Sequence, residues 1–364
     1  MYLEALWLTD FRSYRNAQLE PAPDGLTVVV GANGEGKTNL LEAIAYLATL
    51  RSFRGAPGEA LVRVGAPQAV LRAEGERAGR HLLIEAELHL TGRDRVQVNR
   101  QPLPRTRDLL GALQVSVFAP DDLALVKAGP QARRDYLDDL LVALHPRHDA
   151  ARSEVERVLR QRGALLRSAQ GQSRPACDVV STLDVWDAKL AAAGESLVAA
   201  REGLVAALEA PAAGAYGALA VAAGADRDRV TLRYARSWSG SLAAGLAAAR
   251  GDDLRRGVTT VGPHRDELVA EIGGLPARTH GSQGEQRTLA LALRLAGHEV
   301  VTRRVGSAPI LLLDDVFSEL DQQRAAALLA VLPPGQAILT TAGQLPAGAV
   351  PACLVQLEGG SIVS

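Results

Sequence analysis

Gly31-Ala32-Asn33-Gly34-Glu35-Gly36-Lys37-Thr38 is the stretch on which the reading of this chain turns. It fits G-x-x-x-x-G-K-[ST] without a mismatch. Before it runs the β-branched segment Leu26 to Val30; after it Leu40, Leu41, Ile44 and Leu47 recur at helical spacing. The predicted order is therefore strand, glycine loop, helix, which is what a phosphate-binding loop requires. Glycines let backbone N–H groups turn inward around phosphate oxygens, and the helix presents its positive N-terminal end. Lys37 adds a compact charge, and the Thr38 hydroxyl can bind Mg²⁺. Lysine occurs only at 37, 127 and 189 in a chain that otherwise uses arginine, so its retention at 37 singles that place out. Gly31, Ala32, Asn33, Gly34, Glu35, Gly36, Lys37 and Thr38, with Asn39 beside them, form the expected nucleotide-binding set.

Two further stretches belong with the loop. Ile310-Leu311-Leu312-Leu313-Asp314-Asp315 is an apolar run ending in two acids, the way a buried parallel strand delivers carboxylates to the sheet edge where ligands bind. Asp314 is then the expected Mg²⁺ partner, and Asp315 the group that orients or deprotonates the attacking water. Gly281-Ser282-Gln283-Gly284-Glu285-Gln286-Arg287 precedes a long predicted helix. Read alone, Ser282 with Glu285 three residues on is a capping box. A serine and glycines at a helix N-terminus are also suited to grip a γ-phosphate. Since the chain already holds one nucleotide with its own loop, the simplest arrangement has Ser282 of one copy facing the ATP held by a second.

The order of loop, Ser-Gln-Gly-Glu-Gln signature, Leu-Leu-Leu-Asp-Asp strand and Ser318-Glu319-Leu320-Asp321 resembles the ABC ATPase heads of the SMC and Rad-fifty group, and within it the RecF family. Further likenesses are Leu8 to Tyr14, Arg51-Ser52-Phe53-Arg54, Phe118 to Asp122, Gly129-Pro130 to Arg133-Arg134, and Gly262-Pro263-His264-Arg265-Asp266. The resemblance runs from end to end. It implies that Lys37 and Thr38 hold phosphate and Mg²⁺, that Asp314 holds Mg²⁺, and that Asp315 is the catalytic acid position. Ser282, Gln283, Gly284, Glu285 and Gln286 would form a signature acting in trans, with Ser282 counted among the catalytic residues beside Asp315 and Lys37. Asp321 would be the D-loop aspartate. ABC ATPases commonly carry Glu where Asp315 stands, and the shorter acid implies slow, DNA-stimulated turnover. The Mg²⁺-sensing glutamine has no obvious counterpart beyond Asp121 or Asp122, and Thr340-Thr341 stands where a γ-phosphate contact is usual. Implied partners are ATP, Mg²⁺, a second copy, duplex DNA and single-strand/double-strand junctions at gaps, RecR and RecO, with RecA loading as the outcome.

The expected fold is α/β: an ABC-type ATPase head whose mixed sheet is built from both chain ends, with an inserted, mainly helical arm. The expected parts are residues 1–122 carrying the loop, 123–254 the arm, and 255–364 the signature, acidic strand and D-loop. Strands are predicted at Leu3 to Leu8, Ala69 to Ala73, Leu82 to Leu90, Val96 to Val98 and Val115 to Phe118, the later ones as antiparallel sheet beside the first βα unit. The arm reads as a helical hairpin turning at Gly171 to Pro175, one of its helices, of about 19 residues, reaching about 30 Å. The Gly/Ala-dense stretch Ala210 to Ala249 reads as short helices and loops.

Apolar residues at 47% and charged residues at 22% describe an ordinary globular composition. No apolar run approaches the length needed to span a bilayer, and Met1 to Arg12 does not read as a signal peptide, so a cytoplasmic place and no membrane partner are expected. Cys177 and Cys353 lack zinc or disulfide spacing. The net charge of −1 means that DNA must be met by a local basic surface. Arg133, Arg134, Arg152, Arg157 and Arg160 are the arm candidates, with Arg162 and Arg167 beside them, although arginines at helical spacing also describe a solvated face. With aromatics at 4%, backbone contact to duplex is expected over base stacking. The alternative function is the nucleotide-binding subunit of a transporter. There the signature lies closer to the loop, without an intervening arm.

Overall fold

β1 (Tyr2–Phe11), β2 (Tyr14–Leu19) and β3 (Gly25–Val30) lead through the glycine loop into α1 (Lys37–Thr49) in a computed structural model that describes residues 1–170, 177–222, 229–343, 345 and 347–363. β4 (Gln68–Arg77), β5 (Arg80–His89), β6 (Arg95–Val98), β7 (Gln101–Pro102) and β8 (Val115–Phe118) follow. Next come α2 (Ala124–Lys127), α3 (Pro130–Leu144), α4 (Arg147–Ala169) and α5 (Cys177–Ala222). β9 (Val230–Ala235), α6 (Leu242–Arg256), β10 (Glu267–Ile272), β11 (Leu275–Pro276) and α7 (Ala277–His280) precede the long α8 (Gln283–Val305). The chain closes with β12 (Ile310–Asp314), α9 (Gln322–Val331), β13 (Gln336–Thr341), β14 (Cys353–Glu358) and β15 (Ser361–Ile362).

These elements form two compact units: residues 1–123, 211–228 and 283–364 in the first, 124–210 and 229–282 in the second. Residues 255–282, placed by the sequence with the carboxy-terminal part of the head, group with the second unit. The reason is pairing: β10 takes β9 as its antiparallel neighbour over six residues, Glu267↔Ala235 to Ile272↔Val230.

The first unit carries two sheets. One is antiparallel in the order β2-β1-β4-β5-β6-β7. The other runs β15-β14-β3-β13-β12-β8, parallel except at the β15 edge. Strands from both chain ends therefore share one sheet. β8, expected beside the antiparallel strands, pairs parallel with β12 instead, Ile310↔Val115 to Leu313↔Phe118. A run of four residues has no periodicity that could distinguish the two sheets. Between the sheets α1 is buried along almost its whole length, and Leu40, Ile44 and Leu47 join Phe11, Tyr14, Leu71, Ile84, Leu312 and Ile338 in one core. Gln336, 3% exposed, ties the sheets together: its amide accepts from Leu3 N at 2.7 Å and donates to Leu3 O at 2.8 Å and Ala22 O at 2.7 Å.

In the second unit the hairpin helices are longer than expected. α4 has 23 residues and α5 has 46; the turn placed at Gly171 to Pro175 lies outside the described residues. α5 continues through Pro211, where the proline removes one intrahelical hydrogen bond, and the division between the units falls at that residue. Its alanines favour helix strongly enough to carry the chain through the stretch expected to break up. Val179–Val221, which contains an 18-residue window of mean hydropathy 1.5, is also long and apolar enough to cross a membrane by length and composition, which corrects the expectation that no apolar run approaches that length. Its buried side is the heptad-spaced Leu183, Leu190, Leu197 and Leu204, and Arg201 on the same helix is ion-paired with Asp138. That is the pattern of a helix packed in a protein core.

Buried arginines hold the second unit together. Arg162, with no exposed surface, donates to Asp187 at 2.6 Å, Asp253 at 2.7 Å and Thr259 at 2.8 Å. Arg201 makes a bidentate pair with Asp138 at 2.8 and 2.7 Å and donates to Pro263 O at 2.8 Å. Burial opposes the Arg201 charge, but the Asp138 pair prevails and raises its pKa above that of a free guanidinium.

Candidate functional site

The parallel sheet brings the ends of β3, β13 and β12 to one edge, the edge at which such sheets bind ligands. The loop leaves β3 with Gly34 at φ 90° and Gly36 at φ 101°, a region that only glycine enters freely. Gly31 and Gly36 are held to glycine by space as well. A Cβ on Gly31 would lie 2.9 Å from Leu357 Cβ, and one on Gly36 2.8 Å from the Tyr14 hydroxyl. Tyr14 is itself buried at the core, and burial, with the Glu35 charge beside it, keeps its hydroxyl protonated. Glu35 accepts from Gly360 N at 2.7 Å, which ties the loop to the turn after β14. Lys37 donates to the carbonyls of Gly31 at 2.7 Å and Ala32 at 2.8 Å, so its ammonium lies inside the curl of the loop. Asn39 donates to Ser13 Oγ at 2.8 Å.

Thr38 Oγ1 donates to Asp314 Oδ1 at 2.9 Å, across 276 residues of sequence. Thr340, fully buried on β13, donates to the same oxygen at 2.8 Å. Burial raises the Asp314 pKa, the two hydroxyl bonds lower it, and the neighbouring Asp315 charge raises it again; the net direction is upward. A carboxylate whose ionised form is penalised in this way is relieved by a cation. Hydroxyl and carboxylate oxygens are the hard donors Mg²⁺ takes, usually one or two from protein with phosphate and water completing the shell. The residues present therefore fit that ion. Among the described residues no group of three or more His, Cys, Asp or Glu side chains is placed to hold a metal by protein alone.

Asp315 follows in the left-handed region at φ 46°. Its N–H donates to Thr340 O at 3.1 Å and meets Thr340 Oγ1 at 3.1 Å; its carbonyl accepts from Ser318. The backbone is thus clamped on both sides while the side chain stays half-buried. Thr340 is a site residue with a role the sequence did not disclose: it serves Asp314 and the Asp315 backbone, and only the β12–β13 register, Asp314↔Thr340, brings it there.

Ser282 and Gln283 are exposed just before and at the start of α8, while Gln286 is buried. Asp321 caps α9, accepting from Arg324 N at 2.8 Å, and this backbone bond and the Arg324 charge lower its pKa. The Arg324 guanidinium also pairs with Asp321 and lies against Gly284, 2.6 Å from where a Cβ would stand. One arginine thus touches both the signature and the D-loop. Arginine there carried no sequence signal, because only the fold places α9 beside Gly284.

Of the Mg²⁺-sensing candidates, Asp122 accepts from Ala119 N at 3.0 Å and Arg294 of α8 at 2.6 Å, and Asp121 is exposed. Beside β8, His298 of α8 meets Ser116 Oγ at 3.0 Å, and burial pushes its imidazole down to about 4. A histidine depressed in the folded state is neutral in both states above pH 6.5. Stability falls as pH drops from 6.5 toward 4, because the unfolded chain takes the proton first. His298→Asn is expected to remove about 2–3 kcal/mol of that acid-side loss. Urea denaturation at pH 7 and pH 4.5 checks it, since equal losses in variant and parent would place the acid sensitivity elsewhere.

The arm arginines are corrected by burial. Arg133 (5% exposed) forks onto Glu267 at 2.7 and 3.0 Å and donates to the carbonyls of Leu125 and Ala128. Arg134 (8%) donates to Asp266 O at 2.7 Å. Arg152 (8%) pairs with Asp149 and Asp139. None of the three presents a free guanidinium to a phosphate, and Arg162 is sealed in its carboxylate pair. Arg157, paired with Glu154, and Arg160 and Arg167 are exposed. Two of the family-like stretches, Gly129 to Arg134 and Gly262 to Asp266, thus meet as internal structure of the second unit. His264 there is pushed down to about 4 by burial and meets Thr259 O at 3.0 Å.

Residues 2–341 match the family described as RecF/RecN/SMC N terminal domain. The DNA replication and repair protein RecF of Frankia alni is 46% identical over 359 residues, covering 94% of this chain and 93% of that protein. That of Streptomyces avermitilis is 44% identical over 358 residues with the same coverage. Among solved structures, the recombination mediator protein RecF-ATPrS in the RecFOR pathway superposes with a TM-score of 0.89 at 27% identity, covering 99% of this chain and 97% of that one. An Smc head domain of Pyrococcus furiosus bound to the C-terminal domain of ScpA shares the fold at a TM-score of 0.56 and 16% identity, covering 100% of this chain and 96% of that one. With a family match across nearly the whole chain and relatives this similar along their full length, the chain belongs to the RecF family.

Proposed function

We propose that this chain is a DNA-binding ATP hydrolase that acts as an ATP-dependent dimeric clamp in the recombinational repair of gapped DNA. The observation that carries the reading is the 2.9 Å bond from Thr38 to Asp314, which sets the phosphate loop and the acidic strand at one sheet edge. The relatives, DNA replication and repair proteins, support the repair role, and the solved RecF-ATP and RecF-ATPrS structures support the nucleotide. In this reading Gly31 to Asn39 cradle the triphosphate, with the Lys37 ammonium swinging from the loop carbonyls to the phosphates. Thr38 and Asp314 would hold Mg²⁺, which when bound draws charge from the phosphate oxygens. Asp315 orients the attacking water and takes its proton. Ser282 to Gln286 of a second copy close the site, with Asp321 at the same junction.

Turnover is slow and DNA-stimulated, since aspartate is one methylene shorter than the glutamate common in ABC ATPases. RecR and RecO are the proposed partners, RecA loading the outcome, and the cytoplasm, where DNA and ATP meet, the place. Arg157 and Arg160 remain candidate DNA contacts on the arm. Family membership disfavours the transporter reading.

Sedimentation with and without ATP, repeated with duplex and gapped DNA, tests the clamp. Ser282→Arg is expected to bind ATP like the parent but to pair at least about tenfold more weakly, a loss of about 1.4 kcal/mol. Normal ATP-dependent pairing by that variant would remove the shared pocket.

A further inference from the structure

The arm arginines are largely committed inside the protein, but another set is not. Residues 93–108 hold five arginines, Arg93, Arg95, Arg100, Arg105 and Arg107, against two aspartates, Asp94 and Asp108, in a chain whose net charge is −1. All five are exposed. Among the described residues none of their guanidinium groups has a hydrogen-bond or ion-pair partner, whereas Arg133, Arg134, Arg152 and Arg157 are all paired. The stretch is the β6–β7 hairpin at the edge of the antiparallel sheet, with the turn that follows it. Arg93 and Arg105, which flank β6 and β7 in sequence, line one polar cleft with Asp94 and Thr106, two guanidinium groups against one carboxylate.

A second observation comes from the backbone. The hairpin turn is Asn99-Arg100, with φ 49° and 64°, both left-handed. A two-residue turn of this type strongly favours Asn-Gly, so arginine stands where glycine costs least. Asn99 is anchored, its N–H donating to Leu83 O at 2.8 Å and its side-chain oxygen accepting from Leu83 N at 2.8 Å. The tip is therefore rigid, and the strained residue on it is an exposed cation. Backbone strain at a surface position without packing to justify it points toward a functional demand.

We propose that the β6–β7 hairpin is a contact surface for the phosphate backbone of duplex DNA, with Arg100 at its tip and Arg93 and Arg105 across the cleft. This rests on the DNA-binding reading above and assigns it a surface outside the arm. No Phe, Tyr or Trp lies between Thr91 and Val117. The stretch itself therefore supplies neither the aromatic platform that single-stranded bases stack on nor the aromatic anchor typical of a protein interface. Unpaired guanidinium groups on a rigid edge suffice for phosphate, which asks for charge and N–H donors.

The test is fluorescence anisotropy of a labelled duplex with the full-length protein, with and without ATP, across a salt series. Each phosphate contact contributes about 0.9 to the slope of log K against log salt, so Arg93→Ala/Arg105→Ala is expected to reduce the slope by about 1.8. Arg100→Gly separates function from structure: it is expected to lower the slope by about 0.9 while holding or raising the melting temperature, because glycine relieves the turn. A merely structural arginine would leave the slope unchanged. Arg→Lys at all three positions is expected to retain most of the slope. Parental slopes in the hairpin variants overturn the proposal, and if Arg157→Ala/Arg160→Ala then loses duplex, the DNA-binding reading survives with the arm as its surface. Parental duplex binding with lost capture of an acidic protein partner also overturns it. Failure of the unmodified protein to bind duplex in any nucleotide state sinks both readings.

Discussion

Replacing Asp315 by asparagine is expected to lower steady-state ATP hydrolysis by about 10²–10⁴-fold, the usual contribution of a positioned general base, while ATP binding and ATP-dependent pairing persist. The substitution isolates the carboxylate because the fold tolerates it. Asp315 sits at φ 46°, a region in which asparagine is as much at home as aspartate. The contacts that hold the residue are made by its backbone N–H and carbonyl, which the change leaves in place. The Thr38–Asp314 bond next to it is likewise untouched. Phosphate release at saturating ATP, measured beside nucleotide binding and sedimentation, separates the outcomes. An undiminished rate with normal binding would remove Asp315 from the chemistry; joint loss of binding and rate would make its role structural.

Arg162→Met is expected to be the most destabilising single change in the second unit, at about 3–5 kcal/mol. The guanidinium is fully buried between Asp187 and a fully buried Asp253. Removing it leaves carboxylates in low dielectric without their cation, and the penalty of an unpaired buried charge far exceeds the net worth of the pair. Arg250 still reaches Asp187 and Thr260 still donates to Asp253, so part of the charge remains answered, which places the effect within that range and not above it. The first unfolding transition in a denaturant or thermal scan reads the loss. Arg157→Met on the same helix is the control: its partner Glu154 is exposed, and the midpoint is expected to stay where it is. Similar midpoints for the two variants would mean that the Arg162 site repacks without the ion pair.

Much of the site could be read directly from residue order. A phosphate loop is a local object: the glycines, Lys37 and Thr38 are contiguous, and both positive-φ positions of the loop fall on glycines. The acidic strand is similarly local, since four apolar residues followed by two acids describe a strand buried on both faces that ends at a ligand edge. The proposed DNA surface was harder to read. Arginines spaced along α3 and α4 look alike whether they face water or carboxylates, and their partners Glu267, Asp187 and Asp253 lie far away in sequence. The hairpin arginines gave no periodic signal, because their distinction is the absence of partners and the left-handed turn at Asn99-Arg100.

By itself, then, the sequence determined which contiguous residues make up the candidate nucleotide site, the family, and the return of the carboxy-terminal strands to the sheet begun at the amino terminus. These depend on contiguous motifs and on apolar runs whose burial is nearly obligatory. Tertiary structure alone decided that β8 joins the parallel sheet, that Thr340 and Arg324 serve the site, that α5 runs on through Pro211, and which arginines reach solvent. The physical reason is common to all four: each is settled by a partner distant in the chain or by packing along a whole element. Local propensity and charge carry no information about either.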